Sequence, residues 1–478
     1  MSASHAGTVP PRSARQSRWL RRLRRAGGLL TGAFALFSAL AQTAPPPPDP
    51  KLAEVRATRT FLTPPPTVAP LPPSADPLQG IVVIEGGPEP AVHWFDGDTL
   101  QPLRRIPSRR VLSTEARLSP DGLLLFAAAP DGWITSFDLR RGTARAEVRA
   151  GLGPLNLASS RDGRWLLAGN ETPHTLVLFD TELQAARVYP AATRDGQRSS
   201  AVAAVHDAPP RRSFIVALRD LPEIWEISYD PRAEDIYEGL VHDFRMGEGL
   251  PVRGFLYPRR TLLAEPVQAL GFDLQFINVL GRTRGGDAVQ VVNPDVRRRV
   301  ATLAGAWQPS AAGAGSVQGS GAGQPHPAGA AAFEWQGRNV LAVPNLQRAG
   351  LALFDTGNWQ LLREIPTAGP VAQLHSDRRG RHLWATAPAG AAADDTLTVI
   401  DQRSLEVVAT LREPGRQLRA AAFTRDGRQL LALVEGVDGA LIAYDTATLA
   451  ERRRLPLRAP QAVFTVESAV GSATGPPR

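Results

Sequence analysis

Apolar residues in this chain fall into short runs rather than helical stripes. Leu123–Phe126, Trp165–Leu167, Phe214–Val216, Val340–Val343 and Leu430–Leu433 are each a few residues long and close to Gly, Pro or Asp. That is the pattern of short, buried strands. An aromatic or aliphatic residue followed by Asp closes one strand in each unit, as Phe95-Asp96, Phe137-Asp138, Phe179-Asp180, Tyr229-Asp230, Phe354-Asp355, Ile400-Asp401 and Tyr444-Asp445. A weaker copy, Val292-Asn293-Pro294, fills the one large gap. The intervals are 42, 42, 50, 63, 62, 46 and 44 residues, close to the length of a four-stranded propeller blade. Hairpin markers lie upstream in several units, at Ser119–Gly122, Ser160–Gly163, Asp377–Gly380 and Thr424–Gly427, where Gly supplies positive φ between apolar runs. Eight units predict an all-β, eight-bladed propeller over residues 79–466, with a central channel.

The termini do not share this pattern. Residues 42–78 are rich in proline, including Pro45–Pro48 and Pro64–Pro66, and read as an extended, disordered tether. Residues 467–478 read as a frayed tail. From Ser310 to Ala332 the chain is nearly all Ala, Gly, Ser and Gln, the composition of a flexible surface loop. The region 231–309 is irregular, and blade five is the least legible.

Charge changes the picture less than it first suggests. The formal net charge is +8, but seven arginines lie within the first 25 residues and the first acid is Asp49. Residues 42–478 carry about +1, so no nucleic-acid footprint remains. The same N-terminal residues predict a signal peptide over 1–41. Arg21-Arg22-Leu23-Arg24-Arg25 forms the positive region, Gly27–Leu40 the apolar region and Ala39-Leu40-Ala41 the cleavage site. Export to the periplasm follows, with membrane contact only through an uncleaved signal. Cysteine is absent, which excludes thioether-linked haem, thiolate catalysis and thiolate-held iron–sulfur clusters.

Candidate chemistry is sparse. No metal-ligand spacing, phosphate loop or nucleophile elbow occurs in a usable context. His326 stands between two prolines in the Ala/Gly stretch, where packing gives it little to do. His375 ends a strand before a turn, whereas His382, close to Trp384, reads as a packing residue. His93, His174, His206 and His242 read as surface or core histidines. Arg198 lies where a strand begins, and its guanidinium fork suits an acidic ligand.

Three stretches give this pattern a family. Gly196–Pro209 with Phe214–Ala217 and Glu223–Tyr229 resembles the fourth blade of the heme d1 propellers. These are the C-terminal domain of cytochrome cd1-type nitrite reductase and its paralogues in heme d1 biosynthesis. Pro325-His326-Pro327, followed by Phe333 and Val340–Pro344, resembles the family's Pro-His loop. Leu353–Trp359 continues the match, most closely to the biosynthesis branch. The resemblance implies a heme d1 or precursor tetrapyrrole in the channel. It also implies His326 and His375 on the distal side as catalytic proton donors or acceptors, and Arg198 among the groups that bind the ring. Other heme d1 maturation proteins or nitrite reductase are the implied partners. The family's proximal histidine has no counterpart here, since its place reads Ser113-Thr114-Glu115. No cytochrome c module is present either. A cofactor-free propeller that binds a protein or peptide is the alternative reading, and nitrite reduction a third.

Overall fold

In this computed structural model the chain forms eight antiparallel sheets, seven of four strands and one of five. The description covers residues 50–62, 71, 75–153, 155–237, 251–283, 288–303, 327–346, 348–376 and 380–466. The expected signal peptide and C-terminal tail lie outside these residues. Strands within a blade follow one another in sequence. Blade 3, for example, runs Leu155–Ser159, Leu166–Asn170, Thr175–Phe179 and Ala185–Pro190, from the channel outwards. First strands of neighbouring blades touch, so they form the inner wall.

The signature Asp has a local job, and so it repeats. In all eight blades its carboxylate, or the amide oxygen of Asn293, accepts a backbone N–H from the turn that follows, at 2.8–3.0 Å. In every blade but the fourth, this side-chain-capped turn reverses the chain into the outer strand. In several blades the turn also places a leucine in the left-handed region, with φ of 52° at Leu100, 58° at Leu183 and 60° at Leu405. That conformation costs a leucine about 1–2 kcal/mol. All three side chains are buried, and burial returns about 2 kcal/mol. Packing therefore holds the turn where glycine would be easier. The Thr448 N–H, assisted by the Arg452 guanidinium, holds the Asp445 carboxyl well below the usual carboxylate range.

Blade 4 departs from the rule. Its third strand, Glu223–Ser228, places Ile227 opposite Phe214, the ladder position that Phe137 takes opposite Leu125 in blade 2. Tyr229-Asp230 lies two residues beyond, past the strand end. The outer strand, Pro258–Leu262, begins only 30 residues after Ser228, which accounts for the long interval. Blade 5 is complete, from Val267–Phe272 to Arg298–Leu303. The Ala/Gly-rich stretch is shorter than its composition suggests, because Ala331 and Ala332 begin the inner strand of blade 6.

Two features lie at the ends of the propeller. The tether read over 42–78 is structured in part. Pro50–Thr58 forms a helix and Thr60–Phe61 adds a fifth strand to the outer edge of blade 2, pairing with Glu147 and Ala146. No proline occurs between Lys51 and Leu62, and Pro50 stands where a helix tolerates it; the flanking proline clusters masked this in composition. Leu52 and Val55 pack on the core shared by blades 2 and 3, and Arg56 Nε donates to the Ala185 carbonyl at 2.8 Å. Replacing Leu52 and Val55 together by Ala should lower stability by about 1–2 kcal/mol, since both are only half-buried. Urea unfolding would measure this, and protease should then cut first within residues 50–62.

The second feature closes the ring. The last inner strand, Pro460–Thr465, joins blade 1 beside Ile81–Glu85, in the register Ile81↔Thr465, Val82↔Phe464 and Val83↔Val463.

Candidate functional site

Side chains reach the channel from the inner strands and the hairpins after them. One ladder position recurs on all eight inner strands, counted from the residue that pairs with the signature position. Four blades place small residues there, Ala158, Gly271, Ala331 and Ala422. The other four place Phe464, Arg117, His206 and His375, on blades 1, 2, 4 and 7. Small residues between large ones leave room around the axis.

On the arc from blade 1 to blade 5 this tier opens into a cavity of about 450 Å³. Its wall is aromatic at both ends of that arc, with Phe464 on blade 1 and Phe272 and Phe276 on blade 5. The His206 ring meets Phe272 edge-on, with centroids 5.9 Å apart, and Phe272 and Phe276 pack at 5.0 Å. Arg117 and Arg161 add positive charge, and Asp207 adds a carboxylate. Each comes from a local device already described. Arg117 stands two residues before Ser119–Gly122, Arg161 lies within Ser160–Gly163, and His206 and Asp207 end the inner strand of blade 4.

Burial, reinforced by the Arg117 charge, pushes the His206 pKa down to about 4. An imidazole so placed is neutral at pH 7. The native ring therefore refuses a proton that the unfolded chain takes up below a pKa near 6.5. Stability is unaffected above about pH 6.5 and falls as pH drops from there towards 4. Part of the side chain still meets channel solvent, so the loss should be about 1–2 kcal/mol rather than the full ~3 that the shift corresponds to. Urea unfolding near pH 7.5 and near pH 4.5 tests this, and His206→Gln should lose less stability across the same range.

The sequence-predicted residues divide. His375 shares the tier with His206, but blade 7 lies across the channel from blade 3, and His375 is not among the residues lining this cavity. His326 lies outside the described residues; the turn after it, Pro327–Gly329, packs on the inner strands of blades 5 and 7. Arg198 is not part of the cavity. It ends an exposed turn before blade 4, where its backbone N–H donates to Thr193 Oγ1 at 3.2 Å. That turn is at the opposite end of the inner strand from His206. His382 packs as expected, buried, with Nδ1 3.1 Å from the Thr446 carbonyl. At the place of the missing proximal histidine, Glu115 pairs with Arg117 at 3.3 Å and accepts the Leu157 N–H at 3.4 Å. Among the described residues no cluster of three His, Cys, Asp or Glu side chains could hold a metal ion.

Known proteins supply the context for this cavity. The chain is 36% identical over 446 residues to dihydro-heme d1 dehydrogenase of Pseudomonas aeruginosa, spanning 93% of this chain and 82% of that one. It is 25% identical over 394 residues to protein NirF of the same organism, with 78% and 88% covered. Among solved structures it matches dihydro-heme d1 dehydrogenase NirN in complex with DHE, at a TM-score of 0.73 and 35% identity over 92% of this chain and 87% of that one. The Cytochrome D1 heme domain family model matches residues 76–238 and 271–469, with the gap between the two segments containing the outer strand of blade 4, and the chain belongs to that family.

Proposed function

We infer that this protein binds heme d1 or a precursor tetrapyrrole in its channel and works in heme d1 biosynthesis, in the setting of denitrification. The observation that carries this is the cavity between blades 1 and 5, in a chain of this family. Its residues fit the ligand. Phe272, Phe276 and Phe464 offer apolar and edge surfaces to a flat macrocycle. Arg117 and Arg161 suit its carboxylates. His206 presents a neutral imidazole, the form that can hold iron or accept a proton. About 450 Å³ lies within the range of small-molecule sites. When bound, the tetrapyrrole supplies the redox-active ring. The protein's part is to seat it, hold its carboxylates and keep one uncharged imidazole beside it.

Visible-absorption titration of residues 42–478 with heme d1 tests the reading. A saturable band shift at micromolar ligand is expected. No shift at about tens of micromolar would return the protein to the cofactor-free binding modules.

We also propose export to the periplasm, supported by the arginine-rich start and the short apolar run. N-terminal sequencing of the periplasmic protein should begin at Gln42. Full-length protein confined to the cytoplasm would overturn this.

A further inference from the structure

The hairpins after the inner strands share one design, and blade 5 breaks it. In blades 2, 3 and 8 a hydroxyl opens the turn, at Ser119, Ser160 and Thr424. It accepts the backbone N–H five residues on, at 2.9, 2.9 and 3.1 Å. The fourth residue is glycine in each, with φ of 70° at Gly122, 69° at Gly163 and 73° at Gly427. Blade 5 makes the same turn from Asp273-Leu274-Gln275-Phe276. The same backbone bond crosses it, from the Phe276 N–H to the Asp273 carbonyl at 3.2 Å. A phenylalanine therefore stands where those three blades have glycine, with φ of 57°. Blade 4 has Arg212 at the equivalent place, but that guanidinium pairs with Asp230 at 3.4 Å. Phe276 instead lines the channel cavity.

The turn is clamped more firmly than its counterparts. The Asp273 carboxylate, on a residue 6% exposed, takes the place of the hydroxyl. It accepts the Ile277 N–H at 2.8 Å, and the Asn278 N–H and Nδ2 at 3.1 and 2.7 Å. The Phe276 ring rests on Phe272. Leu100, Leu183 and Leu405 are left-handed too, but each is fully covered by the core. Phe276 is only half-buried, so packing within the protein returns less of the backbone cost.

We propose that Phe276 is a ligand-holding ring at the blade 5 end of the cavity, and that Asp273 is its positioning residue. Strain at a position where glycine would serve the sheet better points to a use outside the sheet. A flat macrocycle in the cavity covers the part of the ring that the protein leaves bare, and so completes its burial. Asp273 acts through the turn, by fixing where the ring stands. This rests on the tetrapyrrole reading above and adds which residue grips the macrocycle, and why the turn is built around it.

Phe276→Gly gives blade 5 the residue that blades 2, 3 and 8 already carry. It should weaken heme d1 binding about tenfold in the visible-absorption titration. The melting temperature of the ligand-free protein should stay within about 3 °C of the wild type, because relief of the turn offsets the lost packing. Phe276→Tyr, which keeps the ring, should bind within about twofold of the wild type. Asp273→Ser should weaken binding about threefold by itself, but by less than about 1.5-fold when added to Phe276→Gly, since it acts only through that ring. Unchanged affinity in Phe276→Gly overturns the proposal. So does a melting temperature lowered by more than about 3 °C, which would make Phe276 a packing residue. An Asp273→Ser effect equally large with and without the ring removes the positioning role. If the wild type itself gives no band shift with heme d1, the tetrapyrrole reading fails, a result distinct from all the others.

Discussion

A chain ending at Ala459 is expected to lose its cooperative unfolding transition, or to melt at least about 15 °C below the intact protein. The missing strand is the innermost of blade 1, paired residue by residue with Ile81–Glu85. Without it Ile81, Val82, Val83 and Ile84, each at most 1% exposed, meet water along a bare edge. Uncovering even two such side chains costs about 3–6 kcal/mol. The lost ladder and the buried Val463 and Val466 add to this. Total stability of a typical domain is about 5–15 kcal/mol, so little margin is left. Differential scanning calorimetry checks the prediction, and a peptide of residues 460–466 added in trans should restore part of the transition by strand addition. An unchanged melting profile would mean that the ring does not need this latch.

The second large effect concerns the ligand. His206→Ala should weaken heme d1 binding at least about tenfold and alter the position of the bound band. His206 meets the aromatic wall through Phe272, and among the described residues its neutral ring is the one imidazole lining the cavity. Phe272→Ala should also weaken binding, by roughly a lost aromatic contact of about 1–2 kcal/mol, without the same spectral change. Arg198→Ala provides the comparison. It sits in an exposed turn at the other end of its blade, so titration should show wild-type affinity. A loss there as large as that of His206→Ala would move the site to the opposite opening of the channel.

The fold was legible because its punctuation is local. Asp96, Asp138 and their counterparts cap turns within a few residues of themselves, so each copy leaves its mark in a short window. Even Asn293 keeps the hydrogen bond, at 2.9 Å. The cavity is built in the opposite way. Arg117, Arg161, His206 and Phe272 come from different blades, and nothing in any one unit shows that they meet. His206 read as a core or surface histidine because its partners are dozens of residues away in sequence. Blade 4 was obscured for a different reason. Tyr229-Asp230 looks like any other copy of the signature, and only the strand register, Ile227 opposite Phe214, shows that it has slipped. The helix Pro50–Thr58 was hidden because proline clusters on either side dominate the composition.

The pairing of Ile81 with Thr465 also sets an order in time. The partners lie about 380 residues apart, so the first three strands of blade 1 are made early and wait for the fourth. At ordinary synthesis rates that wait is roughly half a minute. Throughout it, an apolar edge of blade 1 stands open to any other nascent strand. Contacts so distant in sequence also make the final step of folding slow. Chaperone dependence should therefore concentrate at this one edge, and the last residues of the domain decide when the molecule first becomes a closed ring.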